Sequence, residues 1–305
     1  MRLVFAGTPA VAVPSLNALL TAGHDVLAVI TREDAPLGRK RTLTPSPVAV
    51  AAEAAGLPVI RANRLGEEVT AAVLGLEPEL GVVVAYGGLV REPLLSGPRH
   101  GWVNLHFSLL PRWRGASPVQ RALAAGDSVT GAAVFQLVPE LDAGDVLGEL
   151  RRLIGDRDTA GSLLEALSAE GAELLADVVT GIEQGTAQAR PQQGEPTFAP
   201  KLTLDDARID WSRPVAAVDA GIRAVTPEPG AFTSVDGVRV KVLDAVPSDL
   251  EVPLSSGRIR SVERRVLAGT GSTPLELLRV QPAGRNAMAA ADWWRGLNTN
   301  EGSAE

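Results

Sequence analysis

Three polar side chains in this sequence have the types and spacing that acyl transfer needs. Asn104 and His106 lie in VNLHFSLLPRWRGASP, residues 103–118, where an apolar run gives way to a loop. Asp142 lies in PELDAGDVL, residues 139–147. An amide and a hydrogen-donating imidazole can stabilise the oxyanion of a tetrahedral intermediate. A carboxylate can hold the imidazole's charge and orientation and help relay protons through water. The combination points to acyl transfer without a covalent enzyme intermediate. The chain contains no cysteine, which excludes a thiolate nucleophile. Ser108 is a poor alternative, because a Ser108–His106–Asp142 triad would send nucleophile and base in opposite directions from one short segment.

The elements that must position these groups follow from hydrophobic patterning. On a strand, alternate side chains share a face. Asn104 and His106 therefore point one way, and Val103, Leu105 and Phe107 the other. Placing an amide and an imidazole on an apolar strand is costly unless they bond something. Strands are expected at Leu3–Ala6, Val26–Thr31, Leu80–Ala85 and Trp102–His106, with helices at Val11–Ala22, Pro47–Ala55 and Leu65–Leu74. Such alternation implies a mostly parallel sheet with right-handed crossovers. Ligands then sit beyond the carboxyl ends of the strands, at a switch point in strand order, where Asn104 and His106 fall. Ser117 and Pro118 start a helix, and Asp142 sits on a glycine-containing turn able to swing its carboxylate back toward the site. A long helix is expected over Ala160–Gln184, with Thr159 as N-cap.

A polar, turn-rich stretch follows, and residues 191–207 read as a linker between a domain at 1–190 and a second at 208–305. In the second domain Ser212-Arg213-Pro214 opens a short helix. Asp236-Gly237 lies between β-runs as a hairpin turn, and further β-runs occur at Gly257–Ser261 and Pro274–Val280. A small β-barrel or sandwich is the expectation. The N-terminal FAGTPAVAVPSLNALL lacks a G-x-G-x-x-G fingerprint, with Gly7 alone and Pro9 after it, which argues against a nicotinamide or flavin site.

Composition narrows the class. The 305 residues are 45% hydrophobic and 21% charged, as in an ordinary globular protein. No apolar run approaches the roughly 20 residues that span a bilayer, so no membrane association is expected, and MRLVFAGTPA is too short for a signal-peptide core. The absence of cysteine excludes disulfides and thiolate zinc sites and fits a cytoplasmic location. No metal-ligand spacing is present, so no metal is expected. A net charge of −7 argues against broad nucleic-acid binding. Residues 208–305 hold 12 basic and 12 acidic side chains, so residues 1–207 carry that whole charge. Two basic clusters stand out, Arg39-Lys40-Arg41 and Arg258, Arg260, Arg264, Arg265; alone, each reads as solvated surface.

NLHFSLLPRWRGASPVQRALAAGD, followed by LDAGDVL, resembles the folate-dependent formyltransferases. FAGTP (5–9), PSPV (45–48), VVVAYG (82–87), SLLPRWRGASPVQ (108–120), ARIDW (207–211) and QPAGRNAM (281–288) extend that resemblance over nearly the whole chain. They narrow it to the branch of the family acting on initiator methionyl-tRNA. The resemblance implies an α/β fold, a Rossmann-like domain binding 10-formyltetrahydrofolate as co-substrate, and a C-terminal OB-like β-barrel. It implies formyl transfer to the α-amino nitrogen of the tRNA-borne methionine, for translation initiation. Asn104, His106 and Asp142 match the family's catalytic triad. Ser108, Leu109, Leu110 and Pro111 match its folate-binding loop, and the backbone from Tyr86 and Gly87 to Leu89 would lie against the pterin. TREDAPLGRKRTLTPSP matches an insertion that engages the acceptor stem, making Arg39, Lys40 and Arg41 the expected tRNA contacts; a monomer is expected. Phe107 and the Gly87-Gly88 pair depart from the family pattern and bear on pocket shape.

Three other functions share these residues: formylation of a small amine, hydrolysis of the cofactor to formate, and tRNA binding without catalysis. The basic insertion and second domain separate the first from the tRNA reading. The intact Asn104, His106 and Asp142 speak against the last.

Overall fold

A computed structural model describes residues 1–38 and 41–305. The first 199 residues contain, in order, β1 (Arg2–Gly7), α1 (Val13–Thr21), β2 (Asp25–Thr31), β3 (Ala35–Leu37), β4 (Thr42–Thr44), α2 (Pro47–Ala54), β5 (Val59–Arg61), α3 (Glu67–Leu74), β6 (Leu80–Val84), β7 (Trp102–His106), β8 (Arg114–Gly115), α4 (Pro118–Ala124), β9 (Val129–Gln136), β10 (Val146–Leu153), α5 (Ala160–Gln184) and β11 (Phe198–Ala199). The chain divides into two compact units: 1–118 with 129–152 and 164–199, and 119–128 with 153–163 and 200–305.

The first unit is built on a seven-stranded sheet of order β10-β9-β7-β6-β1-β2-β5. From β5 across to β7 the strands are parallel, and β9 pairs antiparallel with β7. Leu3 to Ala6 of β1 are wholly buried, as expected for a central strand covered on both faces. The chain moves outward from β1 to β2 and β5, then returns to add β6 and β7 on the other side. That reversal is the switch point, and the loops after β6 and β7 leave the sheet beside it.

Strand β7 matches its expected bounds, and Val103 and Leu105 are buried on one face. Helix α5 covers that face so closely that a Cβ on Gly171 would lie 3.1 Å from the Leu105 side chain. Asn104 and His106 are left on the opposite face, next to Phe135 and Ala133, their cross-strand partners on β9. Thr159 caps α5 as expected, accepting from Ser162 N–H at 3.2 Å. Strand β6 stops one residue early, because Ala85 adopts a φ of 49° that leaves the sheet. Several short strands were not foreseen, among them β3, β4 and β5. The 32–46 segment carries the hairpin β3–β4, and β5 forms the sheet edge; three-residue strands are too short for alternation to show.

The expected linker at 191–207 is not a bare tether. Arg190 pairs with Val146, β11 pairs parallel with β8, and residues as far as 199 belong to the first unit. These contacts are backbone pairings of a polar segment, which carries no hydrophobic period.

The second unit contains α6 (Val215–Ala224), β12 (Phe232–Val235), β13 (Val238–Pro247), β14 (Arg258–Val262), β15 (Arg265–Ala268), β16 (Leu275–Pro282), β17 (Met288–Ala289), α7 (Ala290–Arg295) and β18 (Glu301–Ser303). Its antiparallel sheet runs β12-β13-β16-β15-β14-β18, with β17 beside β16. Asp236-Gly237 makes the expected hairpin turn between β12 and β13. Trp211, Ile222, Val240, Ile259, Leu277 and Trp293 are among its buried core. The Arg258–Arg265 cluster is largely neutralised. Arg258 and Arg260 meet Glu301 at 3.1 and 2.5 Å, and Arg265 meets Asp249 and Glu276 at 2.6 and 2.5 Å. Among the described residues no helix is long and apolar enough to cross a membrane.

Candidate active site

His106 ends β7 and is only 6% exposed. Phe135 meets its ring edge-on at 6.3 Å between centroids, and Leu110, Ala133 and Phe135 form an apolar cluster on this side of the sheet. Nε2 lies 2.9 Å from the Trp113 carbonyl oxygen. A carbonyl can only accept, so Nε2 carries hydrogen and donates. Nδ1 lies 3.9 Å from Oδ2 of Asp142. Burial pushes the imidazole pKa down, and the Asp142 carboxylate and Trp113 carbonyl offset only part of that shift. The ring is thus neutral near pH 7, with an open Nδ1 facing a carboxylate.

Asp142 stands in a left-handed conformation, φ 46°, on the turn between β9 and β10. Its Oδ2 accepts from Gly115 N–H at 2.7 Å. The turn lies so close to β9 that a Cβ on Gly144 would sit 1.8 Å from the Gln136 carbonyl oxygen, which only glycine allows. The segment Trp113–Gly115 therefore serves both partners, its Trp113 carbonyl holding His106 and its Gly115 N–H holding Asp142. Thr197 braces this segment in turn: its Oγ1 accepts from Trp113 N–H and its carbonyl accepts from Arg114 N–H, each at 2.9 Å.

Asn104 is half-buried on the same face as His106, and its buried Oδ1 has no partner among the described residues. A buried acceptor left unpaired costs about 1–3 kcal/mol, which a bound N–H or O–H donor relieves. Ser108 is buried, and its hydroxyl donates to the Arg112 carbonyl at 2.6 Å, so it is committed to the turn rather than poised for attack. Leu110 and Pro111 are buried and Leu109 half-buried. Phe107 is buried.

The 86–89 loop follows β6, whose Val83 pairs with Asn104. The Tyr86 side chain turns away into the core, its hydroxyl donating to the Ala62 carbonyl at 2.6 Å, so the loop offers backbone there. Leu89 is 64% exposed. The Tyr86 carbonyl accepts from Thr8 Oγ1 at 3.1 Å and Arg32 Nε at 3.4 Å, and Arg32 also donates to the Gly87 carbonyl. Arg32 was missed by sequence reasoning, since a lone arginine before an acidic pair carries no signal.

That acidic pair is itself engaged. Glu33 accepts from Asn63 at 2.7 Å and Asp34 from Arg61 at 2.9 Å. Arg39 and Lys40 lie outside the described residues. Arg41 stands exposed in the turn of the β3–β4 hairpin, which also presents Leu37 and Leu43, 67% and 65% exposed. Among the described residues no group of three His, Cys, Asp or Glu is placed to hold a metal ion.

A family model described as Formyl transferase matches residues 1–179, and one described as Formyl transferase, C-terminal domain, matches residues 201–298. Similar proteins include the methionyl-tRNA formyltransferase of Leifsonia xyli subsp. xyli, 67% identical over 97% of each chain. That of Paenarthrobacter aurescens is 57% identical over 99% of this chain and 98% of its own. Among solved structures, an N-formyltransferase from Helicobacter canadensis, in complex with folinic acid and dTDP-3-aminofucose, covers 91% of this chain and 98% of its own, with a TM-score of 0.70 at 17% identity. Glycinamide ribonucleotide transformylase 1 of Symbiobacterium toebii covers 63% of this chain and 94% of its own, with a TM-score of 0.52 at 19% identity. At those identities the likeness is one of fold.

Proposed function

The chain belongs to the formyl transferase family, and we propose that it moves the formyl group of 10-formyltetrahydrofolate to the α-amino nitrogen of methionine on initiator methionyl-tRNA. Full-length relatives bearing that activity in their names support the substrate. The observation that carries the chemistry is the buried Asn104–His106–Asp142 cluster with an orphaned amide oxygen and no poised hydroxyl nucleophile.

The free amine attacks the formyl carbon, forming the new C–N bond. Asn104, through its amide N–H, stabilises the oxygen as it gains charge, and His106 adds positive charge to that stabilisation once Nδ1 is protonated. The amine proton passes to Nδ1 of His106, where Asp142 offsets the imidazolium charge. It is then delivered to the leaving N10 as the old C–N bond breaks. Ser108, Leu109, Leu110 and Pro111 form one wall of the folate site, and the backbone of Tyr86, Gly87 and Leu89 the other. Arg39, Lys40 and Arg41 contact tRNA phosphates.

The second unit forms an OB-like barrel in this reading. In support, Val235 bridges Ala304, and Ser234 and Glu305 exchange backbone hydrogen bonds of 3.0 and 2.9 Å, so the last residues reach back to β12. The first unit acts as the catalytic domain, and residues 200–207 belong to the second. The site of action is the cytoplasm, where tRNA is charged.

A substrate panel tests the proposal. With 10-formyltetrahydrofolate present, methionyl initiator tRNA is expected to be formylated far faster than glycinamide ribonucleotide or an amino sugar nucleotide. Preferred use of a small amine, or release of free formate alone, would overturn the tRNA assignment.

A further inference from the structure

Gln192 lies in RPQQGEP, outside every motif that marks the site, yet it is bonded directly to the turn carrying Asp142. Its amide nitrogen donates to two carbonyls of that turn, Asp142 and Gly144, each at 2.8 Å. Its amide oxygen accepts from Arg114 Nη2 at 2.7 Å and Nε at 3.2 Å. Both donors and both acceptor positions of the side chain are therefore used. Arg114 is buried, and its Nη1 reaches Glu140 at 3.4 Å, on the approach to the same turn.

We propose that Gln192, anchored by Arg114, is a positioning residue that sets how closely the Asp142 carboxylate approaches His106. The inference rests on the formyl-transfer reading above. A non-glycine residue at φ 46° is held there only when its surroundings over-determine the backbone. Here one amide fixes the carbonyls on both sides of that residue's turn, while Gly115 N–H fixes its carboxylate. The 3.9 Å from Oδ2 to Nδ1 is just beyond a hydrogen bond, so a shift of half an ångström in the turn strongly alters the interaction. Arg114 and Gly115 are neighbours, so one two-residue stretch anchors Gln192 and receives Asp142. Asp142 is the charged side chain that bears on His106.

Gln192→Glu is the informative variant. It is isosteric and keeps an acceptor pair for Arg114, but replaces both donors to the turn with oxygen. Formyl transfer to methionyl initiator tRNA is expected to fall about 10- to 100-fold in kcat, the scale of a sub-ångström misplacement. The KM for 10-formyltetrahydrofolate should stay within about threefold. The acid limb of the kcat profile should move to lower pH, as a retreating carboxylate supports the imidazolium less. Adding Gln192→Glu to Asp142→Asn should cost almost nothing more, since both act on one interaction. Gln193→Glu, at an exposed neighbour, should behave as wild type.

Wild-type kcat in Gln192→Glu, a loss with an unmoved acid limb, or losses that add in the double variant would overturn the proposal. So would loss of folding in both Gln192→Glu and the isosteric Gln192→Met, since the residue would then be structural. A wild-type protein that formylates no tRNA would instead overturn the functional reading on which the proposal rests.

Discussion

Replacing Asp142 by Asn isolates the electrostatic part of the mechanism. An asparagine keeps an oxygen for the Gly115 N–H, which Asp142 accepts at 2.7 Å, so the turn retains its anchor. What is lost is a negative charge 3.9 Å from His106 Nδ1, between side chains 11% and 6% exposed. At an effective dielectric of about 20, a charge pair at that distance is worth about 4 kcal/mol. Each 1.4 kcal/mol is about a factor of ten in rate, so the charge supports about three powers of ten when the imidazolium forms. Residual solvation reduces this, and the expected fall in kcat is about 100- to 1,000-fold. Asp142 raises the His106 pKa against the larger lowering by burial, so its removal lowers that pKa further. The acid limb, which marks loss of the neutral imidazole, should therefore move to lower pH even as the maximum rate falls. Steady-state transfer to methionyl initiator tRNA between pH 5.5 and 8.5 measures both effects. A kcat within about fivefold of wild type, or an acid limb displaced to higher pH, would refute the reasoning.

The same burial makes His106 an acid-sensitive element of the fold. Its folded pKa lies below the model-compound value of 6.5, so its contribution to stability is complete above that pH and is lost as pH falls toward the folded value, at about 1.4 kcal/mol per pH unit. Thermal melts at pH 7.5 and 5.5 should show a smaller loss on acidification for His106→Gln than for wild type. Arg32→Met removes the guanidinium that holds the Tyr86 and Gly87 carbonyls; the KM for 10-formyltetrahydrofolate should rise about tenfold with kcat nearly kept, and an unchanged KM would detach this loop from folate binding. Changing Arg39, Lys40 and Arg41 together to Ala should weaken tRNA use and flatten the plot of log KM against log salt by about 2 units, roughly 0.7–0.9 per phosphate contact; an unaltered slope would remove these three residues from the tRNA interface.

The grouping of Asn104 and His106 on one face was legible because its cause is local. Strand β7 runs over the residues that apolar patterning assigns to it, and period-two geometry alone puts Asn104 and His106 together. Asp142 was legible as a residue on a glycine turn, since Gly144 marks the close approach to β9. What holds these groups was not. Trp113 and Gly115 contribute backbone atoms, which side-chain identity does not advertise, and Gln192 acts from 50 residues along the chain through two hydrogen bonds. The partners of the second basic cluster were hidden in a related way. Arg258 and Arg260 are adjacent in sequence to nothing that neutralises them, but pairing of β14 with β18 brings Glu301 to both. The partners of Glu33 and Asp34 were equally hidden, since Asn63 and Arg61 reach them from about 30 residues along the chain.

The most direct test of the account is a rapid-quench single turnover with 10-formyltetrahydrofolate labelled in the formyl carbon, wild type beside His106→Ala. Direct attack by the amine predicts that label appears in formylmethionyl-tRNA without passing through the protein. It also predicts that transfer falls by at least about a hundredfold in the variant, the scale of a lost acid–base group. Label on acid-precipitated wild-type protein before tRNA is added, or near-normal transfer by His106→Ala, would contradict it.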